Sequence, residues 1–446
     1  MRELQFGSSS KQDVGAPSGP GKEIMSLCRR INLLANLLLL VVVFLALSGA
    51  CRAQPVRFAT FNVSFYDQHP GDVAQRLAGR DDRQAAAVAE IIQRVRPDVL
   101  LLNEVDYDPN GKLVELFQEN YLVVGQNFSQ SPEGPAEPIK FAYRYLGPVN
   151  TGIHSGYDLN RDGQVEATPG SVAYGGDCWG YGVYSGQYGM VILSKFPIDE
   201  AHVRSFQSFL WQDMPEALLP DDPESEAPGD WYSAEVLERF RLSSKSHWDV
   251  PIDVRGRTIH VLASHPTPPA FDGAEDRNGR RNHDEIRFWV DYIGPPEQSQ
   301  YIYDDAAQRG GLPREALFVI MGDLNGDPHD GEGQEGIARL LACSRIAEAP
   351  NPESDGGEEQ AALQGGVNAT HRGNPRYDTL DAADEEGPGN LRLDYVLPAS
   401  ELESVASGVF WPKNRDWYFP LVGTFPFPSS DHRLVWRDIN VGASDD

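Results

Sequence analysis

Cysteine is scarce in this chain, with 4 in 446 residues. No CxxC pair and no Cys/His cluster has the spacing of a zinc site. A disulfide-framed scaffold is excluded, and Cys178 and Cys343 remain either as one disulfide or as two separate thiols. A G-x-S-x-G elbow is missing too, which argues against a serine hydrolase of the strand–turn–helix kind. Basic residues are few beside acidic ones, 38 against 66, for a formal net charge of −28. Such a surface repels a phosphate backbone, so duplex nucleic acid is disfavoured as a partner unless a local basic patch overrides the field. The apolar run Ile31–Leu47 is short for a membrane helix, which needs roughly 20 apolar residues, and no stable span is expected.

That run has another reading. Arg29 and Arg30 precede it, and Ser48, Gly49, Ala50, Cys51, Arg52 and Ala53 follow. A basic start, an apolar middle and small residues at a cleavage point describe a secretory signal. Cleavage is expected after Ala50 or Ala53, and Met25 is a candidate true start because the residues before it are too polar and too many for the basic region. Cys51 as a lipoprotein cysteine is disfavoured by the sequence before it. The expected organisation is a signal region at 1–53, one domain at 54–440 and a tail at 441–446, in a secreted or periplasmic protein.

What is present is globular: 40% hydrophobic and 10% aromatic residues, with 43 Gly and 33 Pro that demand many turns. Val56–Val63 reads as a strand. Asp81–Val95 reads as a helix from Val88, Ile91, Ile92 and Val95 at helical spacing, stopped by Pro97. Short apolar runs typical of strands buried on both faces begin at Val99, Gly189, Thr258, Leu317, Leu391 and Arg433. Long polar stretches at about 131–187 and 266–311 interrupt the series as insertions.

Polar residues capable of metal or phosphate chemistry recur at the ends of these strands: Asn62, Glu104, His265, Asp323, Asn325, Asp431 and His432. Strand ends are where side chains converge on one rim of an α/β sheet. Glu104, where a buried strand emerges, suits a hard cation that takes few carboxylates. In Ile320-Met-Gly-Asp-Leu-Asn-Gly-Asp-Pro328, Asp323 and Asn325 point to the same side if the strand continues, and Gly322 and Gly326 permit close approach of a ligand. In Ser429-Ser-Asp-His-Arg433 an Asp beside a His can fix the imidazole tautomer and poise it as an acid or base. Alone, each fragment reads equally as a turn or a surface loop.

Together, and in order, they resemble the endonuclease/exonuclease/phosphatase superfamily. The resemblance runs through Phe58–Val63, Asn103-Glu104, Tyr188–Pro197, Ser264-His265, Gly322–Asn325, Arg392–Val396 and Ser430–His432. It implies a four-layer α/β sandwich with two central mixed β-sheets and a Mg²⁺- or Mn²⁺-dependent phosphoesterase acting by in-line attack of water. It implies Glu104 as metal ligand, with Asn62 beside it. His432 is implied as general base, oriented by Asp431. Asp323 is implied to align the nucleophile or assist the leaving group. Asn325 and His265 would stabilise charge on phosphorus-bound oxygens, and Asp394 would support a histidine or the metal from behind. The insertions do not carry a substrate over. The acidic surface favours a small or lipid-linked phosphate ester over the substrate of an extracellular nuclease. A non-catalytic calcium-dependent binding protein on the same fold is the alternative from a different class.

Two further clusters remain. Arg277, Arg280, Arg281, His283 and Arg287 form a local basic patch, with Arg281, His283 and Arg287 as candidates for gripping a substrate phosphate, or else a solvated helix face. Asp158, Asn160, Asp162 and Gly163 match the start of a Ca²⁺ loop, although Pro169 stands where a Glu is usual.

Overall fold

The computed structural model describes residues 54–382 and 387–442, together with Gln12. The expected signal region and residues 443–446 of the expected tail lie outside the described residues. Among the described residues, no helix is long and apolar enough to cross a membrane.

Eleven strands among the described residues build two sheets: β1 (Val56–Phe65), β2 (Val99–Val105), β3 (Tyr143–Tyr145), β4 (Met190–Ser194), β5 (Arg204–Ser205), β6 (His247–Val254), β7 (Arg257–Ser264), β8 (Leu317–Asp323), β9 (Asp394–Pro398), β10 (Glu403–Val409) and β11 (Val435–Asn440). One sheet has the order β10-β11-β1-β2-β4-β3 and the other β5-β6-β7-β8-β9. The longer helices are α1 (Arg83–Val95), α2 (Arg277–Tyr292), α3 (Gln334–Leu341) and α4 (Asp355–Gln364). The sheets face one another, with β1 and β2 against β8, and β1 and β11 against β9. This is the four-layer sandwich that the resemblance implies.

Each sheet holds one parallel pair, β1·β2 and β7·β8, among antiparallel neighbours. A parallel pair needs a long crossover. α1 supplies it in the first sheet and α2 lies in it in the second. α1 forms because Ala85, Val88, Ala89, Ile92 and Val95 bury one stripe. Asp82 caps it, accepting from the Ala85 amide at 2.8 Å, a contact that contributes about 1 kcal/mol. Arg96 ends it at φ 58°, ahead of Pro97. β2, with no exposed residue, reads as a continuous apolar run because it has a sheet neighbour on each edge and protein on both faces.

The register brings the expected site residues to one rim. Asn62 pairs with Asn103, one residue before Glu104. Asp323, the last residue of β8, pairs with Asp394, the first of β9. β11 runs antiparallel to β1, so His432 approaches the same end before β11 begins. His265 follows the last residue of β7.

Candidate active site

Asp323 is the hub. It is 1% exposed. Its Oδ2 accepts from Asn62 Nδ2 at 3.1 Å and lies 3.3 Å from His265 Nε2 and 3.6 Å from His432 Nε2. Against the burial that disfavours its charge, His432 and His265 hold its carboxyl well below the usual range.

His432 is oriented by Asp394. Its Nδ1 lies 2.8 Å from Asp394 Oδ2, which also accepts from Thr379 Oγ1 at 2.7 Å. This corrects the pairing with Asp431. Asp431 makes no hydrogen bond to His432 among the described residues; its Oδ1 lies 3.3 Å from Ser430 Oγ and 3.4 Å from Ser64 Oγ. Successive side chains of an extended segment point to opposite sides, so the neighbour in sequence is not the neighbour in space. Burial works against the imidazolium, but Asp394 and Asp323 together raise the His432 pKa well above 6.5. Burial in turn pushes Asp394 up to about 6, with His432 opposing it.

His265 stands beside Asp323. Burial and the nearby Lys245 charge lower its pKa to about 4, so the imidazole is neutral and has one N–H to give. Nε2 faces Asp323, and buried Nδ1 has no hydrogen-bond partner. His265 thus helps to hold Asp323. Asn325 departs from expectation in geometry. β8 ends at Asp323, and Asn325 turns to φ 50° with its amide donating to Asp323 Oδ1 at 3.0 Å. Its carboxamide donates to the Pro266 carbonyl at 3.1 Å. The neighbouring glycines are required by packing: a Cβ on Gly322 would collide with the Ser264 carbonyl, and one on Gly326 would press on Ile337 of α3.

Ser64, Glu104, Tyr188 and Asn325, all on the rim, have φ between 50° and 59°. The left-handed region is costly for non-glycine residues, and such strain clusters where surrounding structure overdetermines a site. Burial, then the charge of Asp431, pushes Glu104 up to about 7. Two carboxylates held together in this way are what a bound divalent cation relieves. The clusters able to hold a metal ion among the described residues are Glu104, His265 and Asp323, and Asp323, Asp394 and His432. With Asn62 and Asp431 nearby, the donor set is rich in hard oxygen and fits Mg²⁺ or Mn²⁺.

The arginines of the basic patch are already engaged. Arg281 is buried and donates to the carbonyls of Leu242, Trp179 and Arg241 at 2.8, 2.6 and 3.0 Å. Arg287 donates to Pro215 and Glu216 carbonyls and pairs with Asp291 at 3.2 Å. His283 lies 3.0 Å from Asp284. Arg281 and Arg287 thus lock loops to α2, while His283 pairs with its neighbour on the same helix. In the calcium-type loop, Asp158 accepts from the amides of Asp162 and Gly163, and Asn160 and Asp162 also accept backbone amides of the loop. Asp177, outside the motif, ties the loop through Leu159 and Glu166. Cys178 and Cys343 are both free thiols, so the disulfide alternative falls away.

Lys245, Glu285 and Thr379 belong to this region and were not signalled by the sequence. Lys245 sits in Ser243-Ser-Lys-Ser-His247, directly before β6, a strand that carried no apolar run to mark it.

Several solved structures are similar to this chain. An endonuclease/exonuclease/phosphatase from Beutenbergia cavernae is 18% identical, covering 87% of this chain and 72% of its own, with a TM-score of 0.44. Sphingomyelinase C from Streptomyces griseocarneus is 15% identical, covering 86% and 99%, with a TM-score of 0.41. A beta toxin variant from Staphylococcus aureus with bound magnesium ions is 13% identical, covering 86% and 99%, with a TM-score of 0.39. No curated protein matches the chain. The match to a family model spans residues 59–432, nearly all of the described fold, and the chain belongs to the endonuclease/exonuclease/phosphatase family.

Proposed function

We propose that this protein is a secreted, metal-dependent phosphoesterase that hydrolyses a phosphate ester by direct attack of water. The observation that carries the reading is the convergence of Glu104, Asn62, Asp323 and the Asp394–His432 pair, from both sheets, on one rim. His432 Nε2 takes the proton of the attacking water. Asp394 holds Nδ1–H, fixing the tautomer and stabilising the cation that forms. Asp323, held by His265 and Asn62, presents a carboxylate beside the base and aligns the water. Glu104, with Asn62 and Asp431, would hold a divalent cation. When bound, that cation supplies charge stabilisation to the phosphoryl group and its oxygens. No side chain here is placed as a covalent nucleophile.

The net charge of −28 supports a small or lipid-linked phosphate ester as substrate in preference to duplex nucleic acid. The basic pair, apolar run and small residues at 29–53 support export. A substrate panel tests the function: bis-p-nitrophenyl phosphate, p-nitrophenyl phosphate, sphingomyelin, inositol phosphates, DNA and RNA, each with Mg²⁺, Mn²⁺ or Ca²⁺. Turnover of a small or lipid-linked ester that vanishes in His432→Ala supports the proposal. Preference for DNA or RNA makes the protein a nuclease, and no turnover on any ester refutes the enzyme reading.

A further inference from the structure

With His265 Nε2 turned to Asp323 and His432 held by Asp394, the phosphoryl oxygens call for a further donor. Lys245 stands where one is needed. The β6·β7 register pairs His247 with Ser264, so Lys245 lies opposite Pro266, beside His265. Its Nζ makes one hydrogen bond, a 3.5 Å contact to the Pro266 carbonyl. The Asn325 carboxamide donates to that same carbonyl at 3.1 Å. Ammonium and carboxamide therefore sit side by side on the floor of the site. Lys245 is 6% exposed, and among the described residues no carboxylate lies within ion-pair distance of it. Burial lowers its pKa, the charges of Glu285, Glu104 and Asp323 oppose that, and Lys245 in turn lowers the pKa of His265.

A buried ammonium with a single long hydrogen bond is costly, and its surroundings hold it in place. Glu285 of α2 accepts from the Ser244 amide with one carboxylate oxygen and from the Thr267 amide with the other, each at 2.6 Å. It thus clamps the segments carrying Lys245 and His265. The insertion adds a second brace, with the Asn150 amide donating to the Lys245 carbonyl at 2.8 Å. Glu285 is the carboxylate whose charge Lys245 feels most, but both of its oxygens accept backbone amides and, among the described residues, neither is within ion-pair reach of Nζ.

We propose that Lys245 is a further catalytic residue, whose ammonium donates to a non-bridging oxygen of the phosphoryl group and stabilises the charge that develops there during attack. The proposal rests on the phosphoesterase reading. Removing one such donor typically lowers kcat by about 10²–10³-fold, and that loss is expected for Lys245→Met and Lys245→Gln in the full-length protein. Lys245→Gln keeps a polar side chain and serves if the methionine variant does not fold. Inorganic phosphate, measured by calorimetry in Mg²⁺, should bind at least about tenfold more weakly to either variant, one hydrogen bond to a charged group being involved. Mg²⁺ itself should bind equally or more tightly, since a cation near Glu104 and Asp323 has been removed. A merely structural lysine predicts the opposite, looser Mg²⁺ binding as the site slackens. Wild-type kcat and phosphate affinity in a folded variant, or weakened Mg²⁺ binding, would overturn the assignment. If the wild type turns over no phosphate ester, the enzyme reading fails while the phosphate measurement still decides for or against Lys245.

Discussion

Replacing Asp394 with Asn separates the base pair seen in the structure from the one adjacent in sequence. His432 Nδ1 lies 2.8 Å from Asp394 Oδ2, and both side chains are buried. A hydrogen bond to a charged group contributes about 1.5–3 kcal/mol. Losing the charge of Asp394 therefore lowers the His432 pKa and moves the ascending limb of kcat against pH downward by about one to two pH units. The plateau falls at the same time. An amide offers both an N–H and a carbonyl, so the imidazole is no longer held in one tautomer, and loss of an oriented base costs on the order of 10²–10⁴-fold. Asp431→Asn should move the limb less, because Asp431 acts on the imidazole through its charge alone, with no hydrogen bond to it. His432→Ala combined with Asp394→Asn should be little slower than His432→Ala alone, the two acting as one unit. The assay is kcat between about pH 5 and 9, the range in which a perturbed histidine titrates, with melting temperatures to confirm the fold. An unmoved limb and plateau in Asp394→Asn, with both displaced in Asp431→Asn, would refute the pairing.

Other expectations follow from the same geometry. Chelation should abolish hydrolysis, with Mg²⁺ or Mn²⁺ restoring it, and Glu104→Gln should weaken metal binding by at least the 10–100-fold typical of groups that support a metal; full activity in verified metal-free buffer contradicts this. Because Glu104 is raised from 4.5 to about 7 without metal, its folded form binds a proton that the unfolded form does not. That contribution to metal-free stability is complete below about pH 4.5 and is lost as pH rises through about 7. Mg²⁺ should then raise the melting temperature more at alkaline than at acid pH, and an equal rise at both, or an equal pH dependence in Glu104→Gln, speaks against it. Arg281→Met leaves three carbonyls without their donor, each such loss costing about 1–3 kcal/mol. It should lower the melting temperature sharply while the remaining folded protein binds phosphate normally; weaker phosphate binding at unchanged stability would return Arg281 to the substrate site.

The parts of the fold legible in the sequence are those whose signal is local. β1, β2 and β8 are apolar runs, and α1 carries its own stripe, cap and stop. β6 was not legible. His247-Trp-Asp-Val-Pro-Ile-Asp-Val254 mixes charge and a proline into a strand. Tertiary partners make it possible: Asp249 takes His260 and the Tyr292 hydroxyl at 2.6 Å each. β5 pairs only with Trp248 and Asp249, so Pro251 does not break a ladder there. The site was legible as a set of residues, since each sits at a strand end. Its wiring was legible only in part: the resemblance put Asp394 behind a histidine or the metal, but the partner is fixed by the antiparallel register that sets Asp394 opposite Asp323. The arginine cluster misled for a related reason: helical spacing reveals a charged face but not that backbone carbonyls of other loops cover it.

Those carbonyls show how the insertions relate to the chemistry. Residues 131–187 grip the site from two sides. On one, Asn150 donates its carboxamide to the Ser243 carbonyl at 2.8 Å and its amide to Lys245, while Arg281 reaches from α2 to the carbonyl of Trp179. On the other, the Tyr184 hydroxyl donates to Asp106 at 2.6 Å, two residues beyond Glu104. The segment that lengthens the chain is thus hydrogen-bonded to the backbone before β6 and to the turn after β2, the two places from which Lys245 and Glu104 enter the site. A long polar insertion hung from one point would move independently of the sheets. One tied at both ends to buried groups loses them only at the cost of unpaired carbonyls and carboxylates, so it folds together with the rim that it encloses.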